Sequence, residues 1–439
     1  MEELFLKNDT LANKISYYHL MLFMASLPFD LFYSHIILIS FIIHTLIQLN
    51  KKDIKPIFTI RTLVLQSAFF VTLLSTIYTI NRPGAFNEWG KHLAILLFPM
   101  VFCLTSFDIK KYRSRLLLSF SLICTATVAY LYLDAFRTIK YYSLPYSTIV
   151  SAAFTNHNFS EPIAMHATFF SLQLAIALVY FLWVCIKEPS AYYRLFYAAC
   201  ACLLLAGIIQ LSSKSIFAAL FLTINLAIPY FLLQGKNRIK FIVIAASLST
   251  LIITGIFTLS ILKVRYITDL KYDLSLTTPD KKFDSRLDRW GTATGLIAKS
   301  PLTGYGAGSE LGLLHESFYA KKYYSSFLNN LNSHNEYLSF LLKSGIIGLL
   351  IYLGTLWLGF KEAIKRKDLL FFTFMLLIAF VSFSENLLDV DKGIIFYAFF
   401  FSFFVFSGDD KKTYKSSKTK SFTTTPHESY PSLPETLQE

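Results

Sequence analysis

The sequence contains few charged residues. Only 16% of its 439 residues are Asp, Glu, Lys or Arg, whereas soluble domains contain about 25%. Hydrophobic residues make up 54% of the chain, and its mean hydropathy is +0.50. A chain with so little polar surface is poorly suited to water, so a helical bundle in lipid is favoured over two or three soluble domains.

Patterns typical of metal and disulfide sites are also missing. The five cysteines lie in apolar stretches, without a CxxC pair or a Cys/His metal spacing, so they are predicted to be small core residues. We therefore expect no metal site and no cofactor. The first ten residues, MEELFLKNDT, lack a basic region, and no removable signal peptide is predicted.

Apolar segments dominate what is present. A helix needs about 20 residues to cross about 30 Å of hydrocarbon. Twelve segments approach this length, near 15–32, 34–49, 62–80, 92–106, 115–133, 162–186, 192–211, 215–233, 239–262, 334–358, 369–386 and 390–407. We expect an all-α fold, a polytopic transmembrane bundle of about twelve helices.

The distribution of positive charge predicts the orientation of this bundle. If the N-terminus is inside and the segments alternate, more than half of the 41 lysines and arginines lie in short cytoplasmic loops and the C-terminal tail. Short cytoplasmic loops have this excess in membrane proteins, so both termini are expected in the cytoplasm. Topology and attraction to anionic lipid then account for the net charge of +13, without nucleic-acid binding.

The pattern divides the chain into four regions. Residues 1–262 contain predicted helices one to nine, residues 263–333 form one long external loop, and residues 334–407 contain helices ten to twelve. A second, shorter external segment covers 134–161. Residues 408–439 are rich in Ser, Thr and Pro and are predicted to be a disordered cytoplasmic tail.

The long loop contains two candidate features. In DSRLDRW (284–290), Arg286 and Arg289 would share one face of a helix, and guanidinium groups bind phosphate oxygens through paired hydrogen bonds. The alternative is a solvated surface on which they pair with Asp284 and Asp288. The glycines of PLTGYGAGSE (301–310) form either an ordinary turn or a close backbone approach to a ligand.

The string NSHNEYLSFLL then enters the tenth predicted helix. Asn332 or Ser333 can cap this helix, and Glu336 has the spacing of a capping box with Ser333. His334 would lie in the first turn, on one face with Tyr337. Histidine is well suited to accept a proton near neutral pH, but a histidine at a helix start can also be only a cap or an interfacial residue.

Smaller candidates lie in other predicted external turns. Lys214 could bind a phosphate or extend to the membrane interface. In NHNFSEP, the residues His157, Asn158 and Glu161 are predicted to be loop residues or sugar contacts. In SENLLDVDKG, the residues Glu385, Asp389 and Asp391 form either an acceptor-binding edge or a solvated turn.

Three strings, taken in order, resemble a known family. SRLDRWGTATGLIAKSPLTGYGAGS, NSHNEYLSFLLKSGIIGLLIYLG and SENLLDVDKGIIFYAFFFSF resemble the O-antigen ligase and polymerase superfamily, over roughly residues 150–407. The resemblance implies a GT-C-type, metal-independent membrane glycosyltransferase in the inner membrane. Its donor would be an undecaprenyl-diphosphate-linked glycan and its acceptor lipid A-core.

The resemblance also implies roles for individual residues. His334 would be the catalytic residue that activates the acceptor hydroxyl, and Arg286 or Arg289 would bind the diphosphate. Lys214 stands where many members have arginine, which keeps the charge but not the planar guanidinium. Residues that would orient the histidine or the substrate are Asn335, Glu336, Tyr337, His157 and Asn158.

Other functions stay open at this point. An O-antigen polymerase would use a second lipid-linked glycan as the acceptor, and a protein O-oligosaccharyltransferase would use a protein. A glycan or lipid transporter is disfavoured, because the chain has no internal repeat and Lys343 and a few histidines are the only notable ionisable residues within the predicted helices. A non-catalytic scaffold is the third class.

Overall fold

The computed structural model describes residues 6, 9–49, 55–258, 263–276 and 284–408. Within these ranges the chain is helical and contains no β-strand. Six helices in them are long and apolar enough to cross a membrane: Ile109–Tyr141, Ala167–Lys187, Ala191–Leu211, Lys214–Leu232, Gly235–Thr258 and Glu336–Lys365. The chain is therefore a multi-pass membrane protein.

The α-helices are numbered here in chain order. They are α1 (Leu11–Ser26), α2 (Leu31–Ile47), α3 (Ile60–Leu65), α4 (Ser67–Ser75), α5 (Arg82–Leu104), α6 (Ile109–Tyr141), α7 (His157–Ser160), α8 (Ala167–Lys187), α9 (Ala191–Leu211), α10 (Lys214–Leu222), α11 (Ile228–Leu232), α12 (Gly235–Thr258), α13 (Asp269–Asp273), α14 (Arg286–Ile297), α15 (Glu310–Ala320), α16 (Tyr324–Leu328), α17 (Glu336–Lys365), α18 (Leu369–Val381) and α19 (Asp391–Phe406). π-Helical turns at Thr223–Ala227 and Val264–Thr268 connect α10 to α11 and precede α13.

Six of the twelve predicted segments coincide with the six long apolar helices. The predicted segment 62–80 is instead divided between α3 and α4 at Gln66, whose side-chain amide donates to the carbonyl oxygen of Leu96 at 2.9 Å. Helices α1, α2, α18 and α19 have only 16, 17, 13 and 16 residues. Each is shorter than the roughly 20 residues of a full crossing, so a count of twelve spans does not follow from the structure.

The two segments predicted as loops contain more helix than expected. Helix α6 continues to Tyr141, which takes up the start of the 134–161 segment. The 263–333 segment contains α13 to α16, and Ser285 and Asp288 cap α14 reciprocally. The predicted disordered tail lies outside the described residues, apart from Gly408.

Burial separates an inner group of helices from a peripheral one. Helix α8 is buried on all sides from Ala167 to Phe181, and α19 is buried from Gly393 to Val405. In α12, only Ala245 and Ile256 are buried. An apolar helix that buries so little of itself is suited to contact lipid over most of its surface.

Helix α17 is broken by the glycine-rich segment. Gly345 has φ 61° and ψ −162°, and a Cβ there would lie 2.1 Å from the Leu302 carbonyl oxygen. The carbonyl oxygens of Leu342 and Lys343 accept hydrogen bonds from Tyr305 N–H and Gly306 N–H, both at 2.8 Å. Gly304 therefore allows this segment to pack closely against α17, and the residues around it form turns, whereas a close backbone approach to a ligand stays a prediction.

Candidate functional site

His334 precedes α17 instead of lying in its first turn. The N-cap of α17 is Asn335, whose side chain accepts from Leu338 N–H, so the expected cap at Asn332 or Ser333 is wrong. The hydroxyl of Ser333 instead donates to Glu310 at 2.7 Å. His334 has φ 47° and does not share a helical face with Tyr337. It is a turn residue held by the Asn332 side chain, which accepts its N–H at 2.9 Å.

A carboxylate holds the imidazole of His334. The Nδ1 atom lies 3.2 Å from Oε2 of Glu385, in the turn between α18 and α19. An ionised carboxylate can only accept, so a neutral imidazole donates from Nδ1 and keeps the lone pair of Nε2. Burial alone would raise the pKa of Glu385, but the hydrogen bond from His334, together with the neighbouring histidines and to the smallest extent Arg286, outweighs burial and lowers the pKa. The pair resembles the histidine–carboxylate part of known catalytic triads.

Four cations lie beside this pair, and together they are called the cationic set: Lys214, Arg265, Arg286 and Arg289. Lys214 begins α10, Arg265 lies in the π-turn before α13, and the other two begin α14. Arg286 donates to the carbonyl oxygen of Ser384, the neighbour of Glu385, at 2.9 Å. The hydroxyl of Ser384 bonds to that of Ser215 at 2.9 Å, so the ends of α10, α14 and α18 meet here.

The cationic set is incompletely paired. Asp273 lies between two of its members, with Oδ2 at 3.5 Å from Lys214 Nζ and 3.7 Å from Arg286 Nε. The Nε atoms of Arg265 and Arg289 are buried and have no hydrogen-bond partner among the described residues. Since buried guanidinium donors normally have acceptors, the set has the properties of an anion site.

Arg289 is not part of a solvated surface. It is 7% exposed and Asp288 is 6% exposed, which contradicts the alternative of a solvated pair. Burial, with the repulsion of Arg286, lowers the pKa of Arg289 to about 10. The group therefore stays charged near neutral pH.

Two further histidines line the approach to Glu385. The rings of His157 and His166 are 4.2 Å apart, and His166 caps α8 by accepting from Thr168 N–H at 3.3 Å. Burial lowers the pKa of His166 to about 4, so this side chain is neutral at physiological pH. Asn158, predicted beside His157, is exposed and donates to the Ala152 carbonyl oxygen at 2.9 Å.

The other predicted orienting residues face the protein interior. Tyr337 donates to the Ala379 carbonyl oxygen at 2.8 Å. Glu336 is 1% exposed and accepts from Leu388 N–H at 2.8 Å. The structure therefore groups His334 with the predicted cations, and it gives Asn335, Glu336 and Tyr337 bonds that fix the backbone around them.

A second charged group, the Lys343 cluster, lies behind His334 at the break in α17. Lys343 Nζ is 2.5 Å from Asp389, 3.1 Å from Glu88 and 3.9 Å from Glu310. Burial would raise the pKa of Asp389, but Lys343 and the Asn386 hydrogen bond lower it. Glu88, Glu336 and Lys343 also line a cavity with room for about one water molecule.

Sequence reasoning missed the partners that complete both groups. The sequence indicates Glu385 only as part of an acceptor-binding edge or a solvated turn, and it singles out neither Arg265 nor Glu88. A weak signal for Arg265 was present, because Arg265, Asp269 and Asp273 follow one another at intervals of four and can share a helical face.

The comparison with known families agrees with this geometry. Residues 167–353 match the family model described as O-antigen ligase. The match extends from the start of α8 into α17, and includes the cationic set and His334 but not Glu385. No curated protein matches the chain.

Proposed function

We propose that this protein, whose residues 167–353 match the family model described as O-antigen ligase, is a glycosyltransferase that moves a glycan from a polyprenyl diphosphate to an acceptor hydroxyl. The donor is proposed to be undecaprenyl-diphosphate-linked glycan and the acceptor lipid A-core, at the periplasmic face of the inner membrane. The observation that supports this most strongly is the His334–Glu385 pair beside cations of which two, Arg265 and Arg289, have buried Nε donors without a partner among the described residues.

The cationic set is proposed to bind the diphosphate. Negative charge grows on this leaving group as the bond between the sugar and the phosphate breaks. Fixed cations stabilise that charge more in the transition state than in the ground state, which is the condition for catalysis. Arg265 and Arg289 offer Nε–H donors that no described residue accepts from, and Lys214 adds a point charge. Four side-chain cations can balance a diphosphate, so the proposed reaction needs no divalent metal.

His334 is proposed to be the general base. Its Nδ1 is occupied by Glu385, which leaves Nε2 to take the proton of the acceptor hydroxyl. The acceptor oxygen forms the new bond to the anomeric carbon, and the electrons of the breaking bond leave with the diphosphate. Attack opposite the leaving group inverts the anomeric centre. The ionised Glu385 then stabilises the imidazolium, as the carboxylate of a catalytic triad does.

The position of the set suits a lipid-linked donor. Lys214 begins one of the candidate membrane spans, and Arg265 follows another, α12, at the same end. The nearly unburied apolar surface of α12 leaves this side open to lipid. A polyprenyl chain can therefore remain in the bilayer while its diphosphate reaches the cations at the membrane surface.

Reconstitution of the full chain in nanodiscs tests the proposal. The purified protein is given undecaprenyl-diphosphate-linked glycan with lipid A-core, and the products are separated on a gel. Glycan attached to lipid A-core supports the ligase function. Longer lipid-linked glycan would identify a polymerase, and glycan on an added protein would identify a protein glycosyltransferase. If no acceptor gains glycan while lipid-linked glycan changes leaflet, the protein is a transporter and the proposal fails.

A further inference from the structure

Glu310 connects the 263–333 segment to the turn that contains His334. It is the first residue of α15 and is 3% exposed. Its Oε1 accepts from the Ser333 N–H at 3.1 Å, from the Ser333 hydroxyl at 2.7 Å and from the Asn386 amide at 3.0 Å. A carboxylate from a distant helix thus satisfies donors of two different turns.

Asn386 completes the connection from the other side. Its Oδ1 accepts from Asn335 N–H at 2.8 Å, and its Nδ2 donates to Asp389 at 2.9 Å. The neighbouring residue is Glu385, which holds the ring of His334. The turn with the base and the turn with its carboxylate are therefore tied together through Glu310 and Asn386.

These bonds bracket His334 on both sides. The backbone N–H of Ser333 is bound by Glu310 and that of Asn335 by Asn386, while His334 between them has the left-handed φ of 47°. Non-glycine residues seldom adopt this conformation and keep it only where their surroundings fix it. The direction of the imidazole thus depends on contacts that Glu310 supplies.

We propose that Glu310 is a positioning residue that holds His334 and Glu385 in the geometry needed for proton transfer to Nε2. The role rests on the proposed function of His334 but not on the identity of the glycan. Since Glu310 belongs to the segment that also contains Arg286 and Arg289, it sets the base at a fixed place relative to the proposed diphosphate site.

The chemistry explains why a carboxylate is required. Each oxygen of an ionised carboxylate can only accept, and Glu310 faces three donor groups from Ser333 and Asn386. A glutamine can keep an oxygen at the Oε1 position, but its NH₂ group then faces the Asn386 amide that donates to Oε2 at 3.1 Å, so that hydrogen bond is lost. Glu310→Gln therefore loosens the turn with almost no change in side-chain volume.

The test compares Glu310→Gln with Glu316→Gln, which removes the same charge from an exposed position of the same helix. Two kinds of measurement are made on the full chain in nanodiscs. One is kcat and the donor KM for transfer. The other is the rate at which diethyl pyrocarbonate modifies His334, followed by mass spectrometry of the peptide that contains it. Ser333→Ala, which removes only the hydroxyl donor, serves as a milder second variant.

For Glu310→Gln we expect kcat to fall by about 10- to 100-fold, because a misplacement of about 1 Å can cost this much. The donor KM should stay within about twofold, since the cations are unchanged. The modification rate of His334 should rise severalfold, with a smaller rise in Ser333→Ala and none in Glu316→Gln.

An unchanged kcat and an unchanged modification rate in Glu310→Gln would overturn the proposal, as would equal effects of Glu316→Gln. If the wild-type protein transfers no glycan, the proposed function fails, but the modification rate of His334 still decides whether Glu310 positions it.

Discussion

The cationic set and the Lys343 cluster contain similar residue types in opposite proportions. Around Lys343, carboxylates outnumber the ammonium, and Asp389, Glu88 and Glu310 all approach it within 3.9 Å. In the cationic set, arginine and lysine outnumber carboxylates, and two guanidinium Nε atoms lack a partner among the described residues. The Lys343 cluster is therefore paired within the protein, whereas the cationic set keeps hydrogen-bond donors that a ligand can use.

This difference distinguishes a structural group from a binding group. Removing the single cation of such a buried cluster leaves its carboxylates uncompensated inside the protein, so the main cost falls on folding. Removing one member of a group with unused donors costs little folding energy and mainly affects the ligand. His334 lies between the two groups: its backbone is fixed from the Lys343 side, and its imidazole faces the cationic side.

The largest effect on turnover is expected at His334. His334→Asn removes the base and keeps a residue that tolerates positive φ. Transfer should fall by about 10²- to 10⁴-fold, with the melting temperature and donor affinity almost unchanged. The measurement is transfer by protein in nanodiscs beside His315→Asn, which changes a histidine of the 263–333 segment that stacks on Phe327. Near-normal turnover of His334→Asn would leave the proposed reaction without a base.

Lys343 should show the opposite pattern. Lys343→Met leaves Asp389 and Glu88 without their cation and is expected to cost about 3–5 kcal/mol of folding free energy. The midpoint of chemical unfolding in detergent measures this loss. Lys361→Met on the same helix is the control, because Lys361 is exposed over Trp357. If Lys343→Met is as stable as wild type but binds donor poorly, the distinction between the two groups is wrong.

Substitution of the arginines of α14 should weaken donor binding more than it lowers the stability of the protein. Arg286→Ala and Arg289→Ala should each weaken donor binding by about 10- to 100-fold, since hydrogen bonds to charged groups contribute about 1.5–3 kcal/mol. Lysine at either position should restore only part of the affinity, because it keeps the positive charge but lacks the planar guanidinium that forms paired hydrogen bonds. Competition by pyrophosphate measures the affinity, with exposed Arg238→Ala as the control. Full activity of the double alanine variant would remove both residues from the site.

Much of this arrangement could be predicted from sequence, and the rest depended on long-range packing. Hydropathy predicted the apolar helices, and the family resemblance pointed to His334, Arg286 and Arg289. Glu385 lies 51 positions from His334, and Glu88 lies 255 positions from Lys343. No local pattern indicates such pairs, because they form only when separate helices pack. The break in α17 could not be predicted for the same reason, because the backbone conformation at Gly345 depends on contacts with a segment that begins at Pro301.

The smallest effect, and the sharpest test of the cationic set, is expected at Asp273. Its carboxylate lies between Lys214 and Arg286, where a phosphate oxygen could make the same contacts. All three side chains are partly exposed, and such ion pairs contribute at most about 1 kcal/mol. Asp273→Asn should therefore tighten pyrophosphate binding by at most about fivefold, most clearly at low ionic strength. Glu316→Gln is the control, because it removes a negative charge from an exposed position of α15, outside the cationic set. If Asp273→Asn instead weakens binding, the carboxylate orients the cations for the ligand, and the set is less open than its unpaired donors indicate.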